Sequence, residues 1–246
     1  MCIRDSILTL TKFNDAAMGS FNVINLQGDL SASTLLGALS VEAASSSGFA
    51  TSITGGSGND ILKGGSGEDT LIGGAGDDVL TGGVGNDILT LGNGDDDVVL
   101  EIGGGTDVIT DFQLSSGAAV GNDDDLDISA LSLEGTDAIK ELGGIADINY
   151  DVSGGNEKVI ILTDDDISAG ASAAALKSAL DAQGNIDSVN IGSRLLILDD
   201  GNDANVFLIS NTDAEDDNDV EVTHIAVFDN ISDIAGGSIL AADFIF

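Results

Sequence analysis

Apolar residues recur every nine positions in the middle of this chain, and glycine and aspartate recur with them. From Gly55 onward the chain runs through five copies, GGSGNDILK, GGSGEDTLI, GGAGDDVLT, GGVGNDILT and a weaker LGNGDDDVV. Position eight of each copy is always apolar, as Leu62, Leu71, Leu80, Leu89 and Val98. Three glycines per copy and the lack of a 3.6-residue stripe exclude a regular helix. The pattern predicts a tight loop over positions one to six and an extended segment over positions seven to nine.

One inward apolar side chain per copy is too little for a copy to fold alone. Neighbouring copies must therefore stack and share one continuous core, which is the arrangement of solenoid repeats. A sixth, degenerate copy, IGGGTDVIT, follows at residues 102–110 after a two-residue slip, and its acidic residue is Asp107. We assign residues 55–110 to this stack.

The segment before the repeats, residues 7–54, holds short apolar runs that predict strands, namely FNVINL, ALSV and SITGG. Ile53 lies nine residues before Leu62, so the stack is expected to begin upstream of the first full copy. In that turn Thr51 stands where a later copy has an aspartate. We expect degenerate, metal-free β turns that cap the stack, and the alternative is an independent small β domain.

The segment after the repeats, residues 111–246, is long enough for a core of its own. A helix is predicted from about Ala171 to Ala182, because alanine and leucine dominate there. The runs RLLILDD and NVFLIS flank Gly201 and predict a hairpin, and VEVTHIAVF alternates like a half-buried strand. We therefore expect a mainly β domain with one or two short helices, in a chain whose overall class is all-β.

Charge narrows the range of partners. Forty-three Asp and Glu face seven Lys and Arg in 246 residues, which gives a net charge of -36. This excess disfavours binding to nucleic acids and to anionic membranes, and no apolar run approaches the roughly 18 residues of a membrane-spanning helix. So much like charge opposes compaction unless a cation offsets it. A metal ion is the natural candidate.

The candidate ligands are the aspartates that fill position six of the copies, Asp60, Asp69, Asp78, Asp87 and Asp96, together with Asp107 of the degenerate copy. Calcium takes about 6 to 8 oxygen ligands, whereas magnesium keeps its water and prefers a rigid octahedral site. Glycine loops offer backbone carbonyls without a Cβ to obstruct them, here near Gly56, Gly58, Gly65, Gly67, Gly74, Gly76, Gly83 and Gly85. A flexible Gly/Asp-rich linker is the alternative, but a linker needs no apolar residue at every eighth position.

The nonapeptide G-G-x-G-x-D-x-U-x is the calcium-binding repeat of RTX (hemolysin-type) proteins, and residues 55–99 resemble it closely. The resemblance implies a parallel β-roll in which two nonapeptides make one 18-residue turn. It also implies that each ion lies between copies i and i+2. The expected pairs are Asp60 with Asp78, Asp69 with Asp87 and Asp78 with Asp96, which makes three ions, and Asp87 with Asp107 would make a fourth.

Two further segments resemble parts of secreted RTX proteins. The stretch after the repeats is similar to the segment that follows the roll in serralysin-type proteins, with Asp111, Phe112 and Ile128 to Leu131 carrying the match and a longer insertion between them. The final residues, Asp243 to Phe246, resemble the terminal motif of proteins exported by type I systems, although a last edge strand is the alternative. Residues 1–6, MCIRDS, are typical of a sequencing artefact, so we expect a C-terminal fragment of a longer protein.

No catalytic signature is present in the sequence. The single His224 cannot form an H-E-x-x-H zinc site, no G-x-S-x-G occurs, and the single Cys2 allows no intramolecular disulfide. We therefore predict no enzyme activity in this chain and a structural role for His224. The acidic runs at residues 164–166, 199–203 and 213–219 fall at predicted turns, where solvated loops and weak metal sites are both open.

Together these features predict a calcium-binding folding and export module at the C-terminus of a bacterial type I secreted protein. We expect it to be extracellular or attached to the cell surface and monomeric as a fragment, with a type I ABC transporter as its partner during export. Calcium at millimolar levels outside the cell suits the affinity range of extracellular modules, about 10⁻⁴ to 10⁻³ M. The alternatives are a piece of an RTX adhesin or surface layer, or the end of a secreted hydrolase.

Overall fold

The computed structural model describes residues 8–9, 21–43, 48–114, 123–131, 133, 136–142, 157–162, 172–183, 192–199, 203–211, 221–229, 231 and 243–246. The chain divides into two compact units. The first unit spans residues 1–130 together with 242–245, and the second spans residues 131–241 together with Phe246. The boundary that the sequence predicts at residue 110 falls inside the first unit, because a further strand at residues 125–127 extends the stack.

The first unit is built from short strands that alternate between two parallel sheets. One sheet runs in the order β1 (Leu8–Thr9), β3 (Leu30–Ser31), β5 (Ser52–Thr54), β7 (Thr70–Ala75), β9 (Ile88–Asn93) and β11 (Asp107–Ile109). The other runs in the order β2 (Phe21–Leu26), β4 (Leu39–Ala43), β6 (Ile61–Ser66), β8 (Val79–Val84), β10 (Asp97–Val99), β12 (Asp125–Asp127) and β18 (Phe244–Ile245). Because sequence neighbours lie in opposite sheets, this is the predicted parallel β-roll, with an 18-residue register such as Leu62 beside Leu80.

The core of the roll consists of the position-eight residues of both sheets, as the nine-residue pattern predicts. Leu62, Leu71, Leu80, Leu89 and Val98 are all completely buried. Each fully buried leucine contributes roughly 1.5–3 kcal/mol relative to an exposed one. Leu39, Val41 and Ile53 continue the core before the repeats, and Ile109 and Leu126 continue it after them.

The strands of the roll are longer than the sequence predicts. Each full strand begins at position seven of one copy and ends at position three of the next, as in Ile61–Ser66, so only positions four to six form the loop. The first two glycines of a copy belong to the sheet, where Gly65 pairs with Gly83 and Gly74 with Gly92. The expectation of a six-residue loop is wrong because neighbouring glycine backbones approach closely enough to continue the ladder.

The segment before the repeats forms strands where its apolar runs predict them, at β2, β4 and β5. Ile53 pairs with Leu71 and lies in the core of the roll. Thr51 is buried at the position that the later copies fill with aspartate, and its backbone N–H donates to Oδ1 of Asp69 over 2.6 Å. This turn therefore joins the stack and contributes a hydroxyl instead of a carboxylate.

The second unit is a mixed sheet in the order β13 (Thr136–Leu142), β14 (Glu157–Leu162), β15 (Gly192–Asp199), β16 (Ala204–Asn211) and β17 (Glu221–Phe228). The first three strands are parallel and the last two pairings are antiparallel. Helix α1 (Ala173–Gln183) lies between β14 and β15 and buries Leu176 and Leu180. The predicted helix and the predicted hairpin around Gly201 are both confirmed.

Several predicted features lie wholly or partly outside the described residues. These are residues 1–6, the acidic runs at 164–166 and 213–219, and most of the run at 199–203. Among the described residues, no helix is both long enough and apolar enough to cross a membrane.

Candidate metal centre

The position-six aspartates form two buried columns along the roll. Asp60, Asp78 and Asp96 lie in the first column, and Asp69, Asp87 and Asp107 lie in the second. Asp60, Asp69, Asp78, Asp87 and Asp96 are each only 1% exposed, and Asp107 is 7% exposed. The structure therefore brings together every pair that the i to i+2 register predicts. Five carboxyl groups this deeply buried need compensation, because ionised side chains are rarely buried without partners.

One oxygen of each aspartate serves the stacking of the copies. The backbone N–H of Asp60 donates to Oδ1 of Asp78, and that of Asp78 donates to Oδ1 of Asp96, both over 2.7 Å. In the second column the N–H groups of Asp69 and Asp87 donate to Oδ1 of Asp87 and Asp107 over 2.7 and 3.1 Å. Oδ1 thus accepts a hydrogen bond that fixes the position of one copy relative to the copy 18 to 20 residues away along the stack.

The other carboxylate oxygen, Oδ2, is buried without a hydrogen-bond partner in most of these aspartates. Within the described part of the chain, Oδ2 has no hydrogen-bond partner in four of these residues, Asp69, Asp78, Asp87 and Asp96, and it is inaccessible to solvent in all four. An unsatisfied buried polar atom costs about 1–3 kcal/mol, and more when it is charged. Four equivalent atoms in one repeating position indicate a missing positive partner rather than four independent packing defects.

Asp60, at the start of the first column, differs from the others. Its Oδ1 accepts a hydrogen bond from the N–H of Leu39 over 2.8 Å, and its Oδ2 accepts one from the N–H of Gly56 over 2.7 Å. Backbone N–H groups therefore donate hydrogen bonds to both carboxylate oxygens. Asp60 thus loses the least stability when no cation is bound.

In the first four copies, the glycine at position one lies directly against Oδ2 of the aspartate of the same copy. A Cβ on Gly73 would lie 2.5 Å from Oδ2 of Asp78 and 2.5 Å from the carbonyl oxygen of Leu91. A Cβ on Gly64 would lie 2.6 Å from Oδ2 of Asp69 and 2.5 Å from the carbonyl oxygen of Gly82. A side chain at either position would collide with both oxygens, so glycine there lets Oδ2 of one copy lie close to the carbonyl oxygen of the copy one turn further along the roll. Carboxylate and carbonyl oxygens are the ligands that calcium takes.

Two further glycines have the same arrangement of oxygens around them, and we call the four groups of oxygens, at Gly55, Gly64, Gly73 and Gly82, cradles. At Gly55 the flanking oxygens are Oδ2 of Asp60 and the carbonyl of Gly73. At Gly82 they are Oδ2 of Asp87 and Oδ2 of Asp107, the latter 3.0 Å from a Cβ on Gly82. Each cradle joins one copy to the copy 18 to 20 residues later, as the pairing register predicts.

The carbonyls beside the cradles belong to position one of a copy, at Gly73, Gly82 and Leu91. The carbonyls that the sequence singled out belong to positions two and four, at Gly56, Gly58, Gly65, Gly67, Gly74, Gly76, Gly83 and Gly85. Those carbonyls face the glycine one turn further along the roll, as the Gly56 carbonyl faces Gly74 and the Gly67 carbonyl faces Gly85.

No group of three or more His, Cys, Asp or Glu side chains suited to a metal ion occurs in the part of the chain that the structure describes. The cradles instead combine one or two carboxylates with backbone carbonyls. Such an all-oxygen donor set favours a hard cation and disfavours zinc or copper, which select imidazole and thiolate.

The electrostatics of the columns agree with this assignment. Burial, followed by repulsion from Asp60 and Asp96, raises the pKa of Asp78 to about 7. Burial likewise raises the pKa of Asp69 and Asp96 to about 6 and that of Asp107 to about 7. The only base among residues 55–110, Lys63, bonds instead to Glu101 over 3.1 Å. Neutralisation must come from protons or from an added cation.

These pKa shifts predict an unusual pH dependence for the metal-free protein. An aspartate whose folded-state pKa lies above its unfolded value of about 3.9 stabilises the fold below that value and loses this contribution as pH rises through 6 to 7. Without metal, the roll should therefore be more stable at pH 5 than at pH 8. Thermal unfolding in resin-treated, metal-free buffer measures this difference, and higher stability at pH 8 would contradict the assignment.

Sequence reasoning missed Asp124, which extends the first column by one step. Asp124 is 2% exposed, and its Oδ1 accepts the N–H of Asp96 over 3.2 Å while its Oδ2 accepts the N–H of Gln113 over 2.7 Å. The signal is the spacing from Asp124 to Leu126, which equals that from Asp96 to Val98. The insertion before Asp124 breaks the nine-residue period and conceals it.

His224 lies on β17 of the second unit. Its ring stacks on Phe207 with ring centroids 4.4 Å apart, and burial lowers its pKa. The structural role expected for His224 stays a prediction.

Comparison with known families supports the assignment of the repeats. Four overlapping segments, residues 47–80, 54–89, 63–98 and 72–109, match the RTX calcium-binding nonapeptide repeat. A search of the curated proteins found no match. Residues 47–109 are thus RTX repeats that form a calcium-binding β-roll, as the sequence pattern predicts.

Proposed function

We propose that the chain acts as a calcium-driven folding module of a secreted bacterial protein, and that the aspartate columns hold the ions. The observation that carries the proposal is the row of buried Oδ2 atoms without hydrogen-bond partners at Asp69, Asp78, Asp87 and Asp96. A divalent cation beside each of these Oδ2 atoms would supply the missing partner and offset the repulsion between neighbouring carboxylates.

The number of cradles supports four ions in the nonapeptides. Three of them lie between the copies of Asp60 and Asp78, of Asp69 and Asp87, and of Asp78 and Asp96, and the fourth lies between Asp87 and Asp107. The fourth is supported by two carboxylate oxygens that face the same point at Gly82. Eleven acidic residues and one lysine between residues 55 and 110 leave ten net negative charges, most of which four divalent ions would neutralise.

The proposed setting is outside the cell. Ligands drawn from separate copies do not exist as a site in the unfolded chain, so calcium binding and folding of the roll are coupled. Calcium-poor cytosol would keep the roll unfolded until a type I ABC transporter has exported the chain. The role belongs to a binding and folding module rather than to an enzyme.

The proposal is tested by counting ions in three alanine variants with isothermal titration calorimetry. Asp78 belongs to two pairs, so Asp78→Ala should lower the stoichiometry by up to two ions and raise the calcium midpoint of folding several-fold. Asp60→Ala should affect one ion. Asp77→Ala removes the same charge from the exposed neighbouring position, where the side chain bonds only to loop groups of adjacent copies, and should leave the stoichiometry unchanged.

Equal losses in Asp78→Ala and Asp77→Ala would show that calcium responds to net charge alone, which would refute the column sites. A titration with magnesium checks the identity of the metal, since magnesium should not restore the folded roll.

A further inference from the structure

The last strand of the chain lies in the roll and not in the second unit. β18 pairs in parallel with β12, with Phe244 beside Leu126 and Ile245 beside Asp127. The N–H of Ile128 donates to the carbonyl oxygen of Ile245 over 2.9 Å. β18 is thereby the terminal strand of the seven-stranded sheet.

Phe244 continues the apolar column of the repeats. The register runs from Leu62 to Leu80, Val98, Leu126 and Phe244. Phe244 is 7% exposed and the preceding Asp243 is 1% exposed, whereas Ile245 is 36% exposed. The segment that resembles an export motif is therefore a rung of the folded roll, with its aromatic ring in the shared core.

The strand that receives β18 is attached to the repeats at an acidic end. β12 pairs with β10, and Asp124 at its start accepts the N–H of Asp96, whose Oδ2 is one of the unpartnered atoms. Burial, followed by repulsion from Asp97 and Asp243, raises the pKa of Asp125 to about 6. No Lys or Arg occurs between residues 64 and 139 to relieve this repulsion.

We infer that residues 243–246 are a calcium-controlled latch, docked as the last rung when calcium fills the adjoining sites and released when calcium is withdrawn. The inference rests on the proposed function, because it needs calcium to hold β10 and β12 in place. The latch also has a consequence for binding. A partner that recognises the terminal segment in extended, accessible form would bind the calcium-free chain and would lose access to this segment once the roll has folded.

The chain contains no tryptophan, so a single substitution supplies a specific probe. In the Phe244→Trp variant, adding calcium should shift the emission to shorter wavelength and cut acrylamide quenching several-fold, because the indole enters the core. Ile245→Trp places the same probe on the exposed neighbouring side chain and should change little. Hydrogen exchange of the terminal peptide in the unmodified chain repeats the measurement without the larger ring.

Far-UV circular dichroism on the same samples reports folding of the roll independently. If calcium folds the roll but neither the tryptophan nor the exchange of residues 243–246 responds, the latch is refuted while the proposed function stands. If calcium changes none of the three signals, the proposed function itself fails.

A second pair of variants tests whether the end of the first column controls docking of β18. In the Phe244→Trp background, Asp124→Asn should raise the calcium concentration needed to bury the tryptophan. The substitution weakens the hydrogen bond from Asp96 that holds β12 beside β10. Asp123→Asn removes the same charge one residue away, where the position lies in the loop, and should shift that midpoint much less. Equal shifts would overturn the link between the column and the latch.

Discussion

Withdrawing calcium is expected to unfold the β-roll completely while the second unit keeps its structure. At millimolar calcium and a Kd of about 10⁻⁴ M, each ion stabilises the native state by about 1.4 kcal/mol, so four ions supply roughly 6 kcal/mol. That is comparable to the whole stability of a marginal domain, within the usual range of about 5–15 kcal/mol. The buried leucine column cannot compensate, because ten net negative charges between residues 55 and 110 then repel one another.

Hydrogen exchange with and without chelator at pH 8 resolves the two units. In chelator, amides of β6 to β10 should exchange at the rate of an unfolded chain, while those of β15 and β16 stay protected. Full protection of β6 to β10 in chelator would contradict the coupling of folding to calcium. Folding in magnesium as complete as in calcium would contradict the choice of metal.

The repeating part of the fold was predictable because a local rule decides it. Each copy has an apolar residue at a nine-residue spacing, an aspartate two residues before it and glycines at fixed positions. Together these three features specify the strand, the loop and the aspartate column. Leu62 and Leu80 pair as the 18-residue turn requires, and Asp60 and Asp78 meet for the same reason. Because every copy carries the same sequence pattern, a deviation in one copy does not change the predicted fold.

The ends of the roll could not be predicted in the same way. Asp124 and Phe244 occupy rungs of the same sheet as Asp96 and Val98, yet they are separated from them by 28 and 146 residues. Only the pairing of distant strands places them there, and no local pattern in the sequence specifies that pairing. The sequence did not single out the carbonyls of Gly73, Gly82 and Leu91, which lie beside the carboxylates, because glycine content shows where backbone can approach closely, not which carbonyl turns toward Oδ2.

Stacking of the loops depends most sharply on the glycine at position four. Gly85 has φ of 148°, and a Cβ there would overlap the carbonyl oxygen of Gly67 and lie 2.6 Å from its carbonyl carbon. Both atoms are backbone of the previous turn, so they cannot move aside without separating neighbouring turns of the roll. Gly85→Ala should therefore cost roughly 3 kcal/mol or more, from left-handed strain together with overpacking.

Gly103→Ala separates the two causes of this loss. Gly103 also has a left-handed backbone, with φ of 79°, but no atom lies within 4 Å of a Cβ placed on it. It should lose only the conformational part, about 1–2 kcal/mol. Urea unfolding at saturating calcium gives both values. Similar losses in the two variants would mean that backbone conformation alone explains the glycines, and that close contact between loops 18 residues apart is not what holds the copies in register.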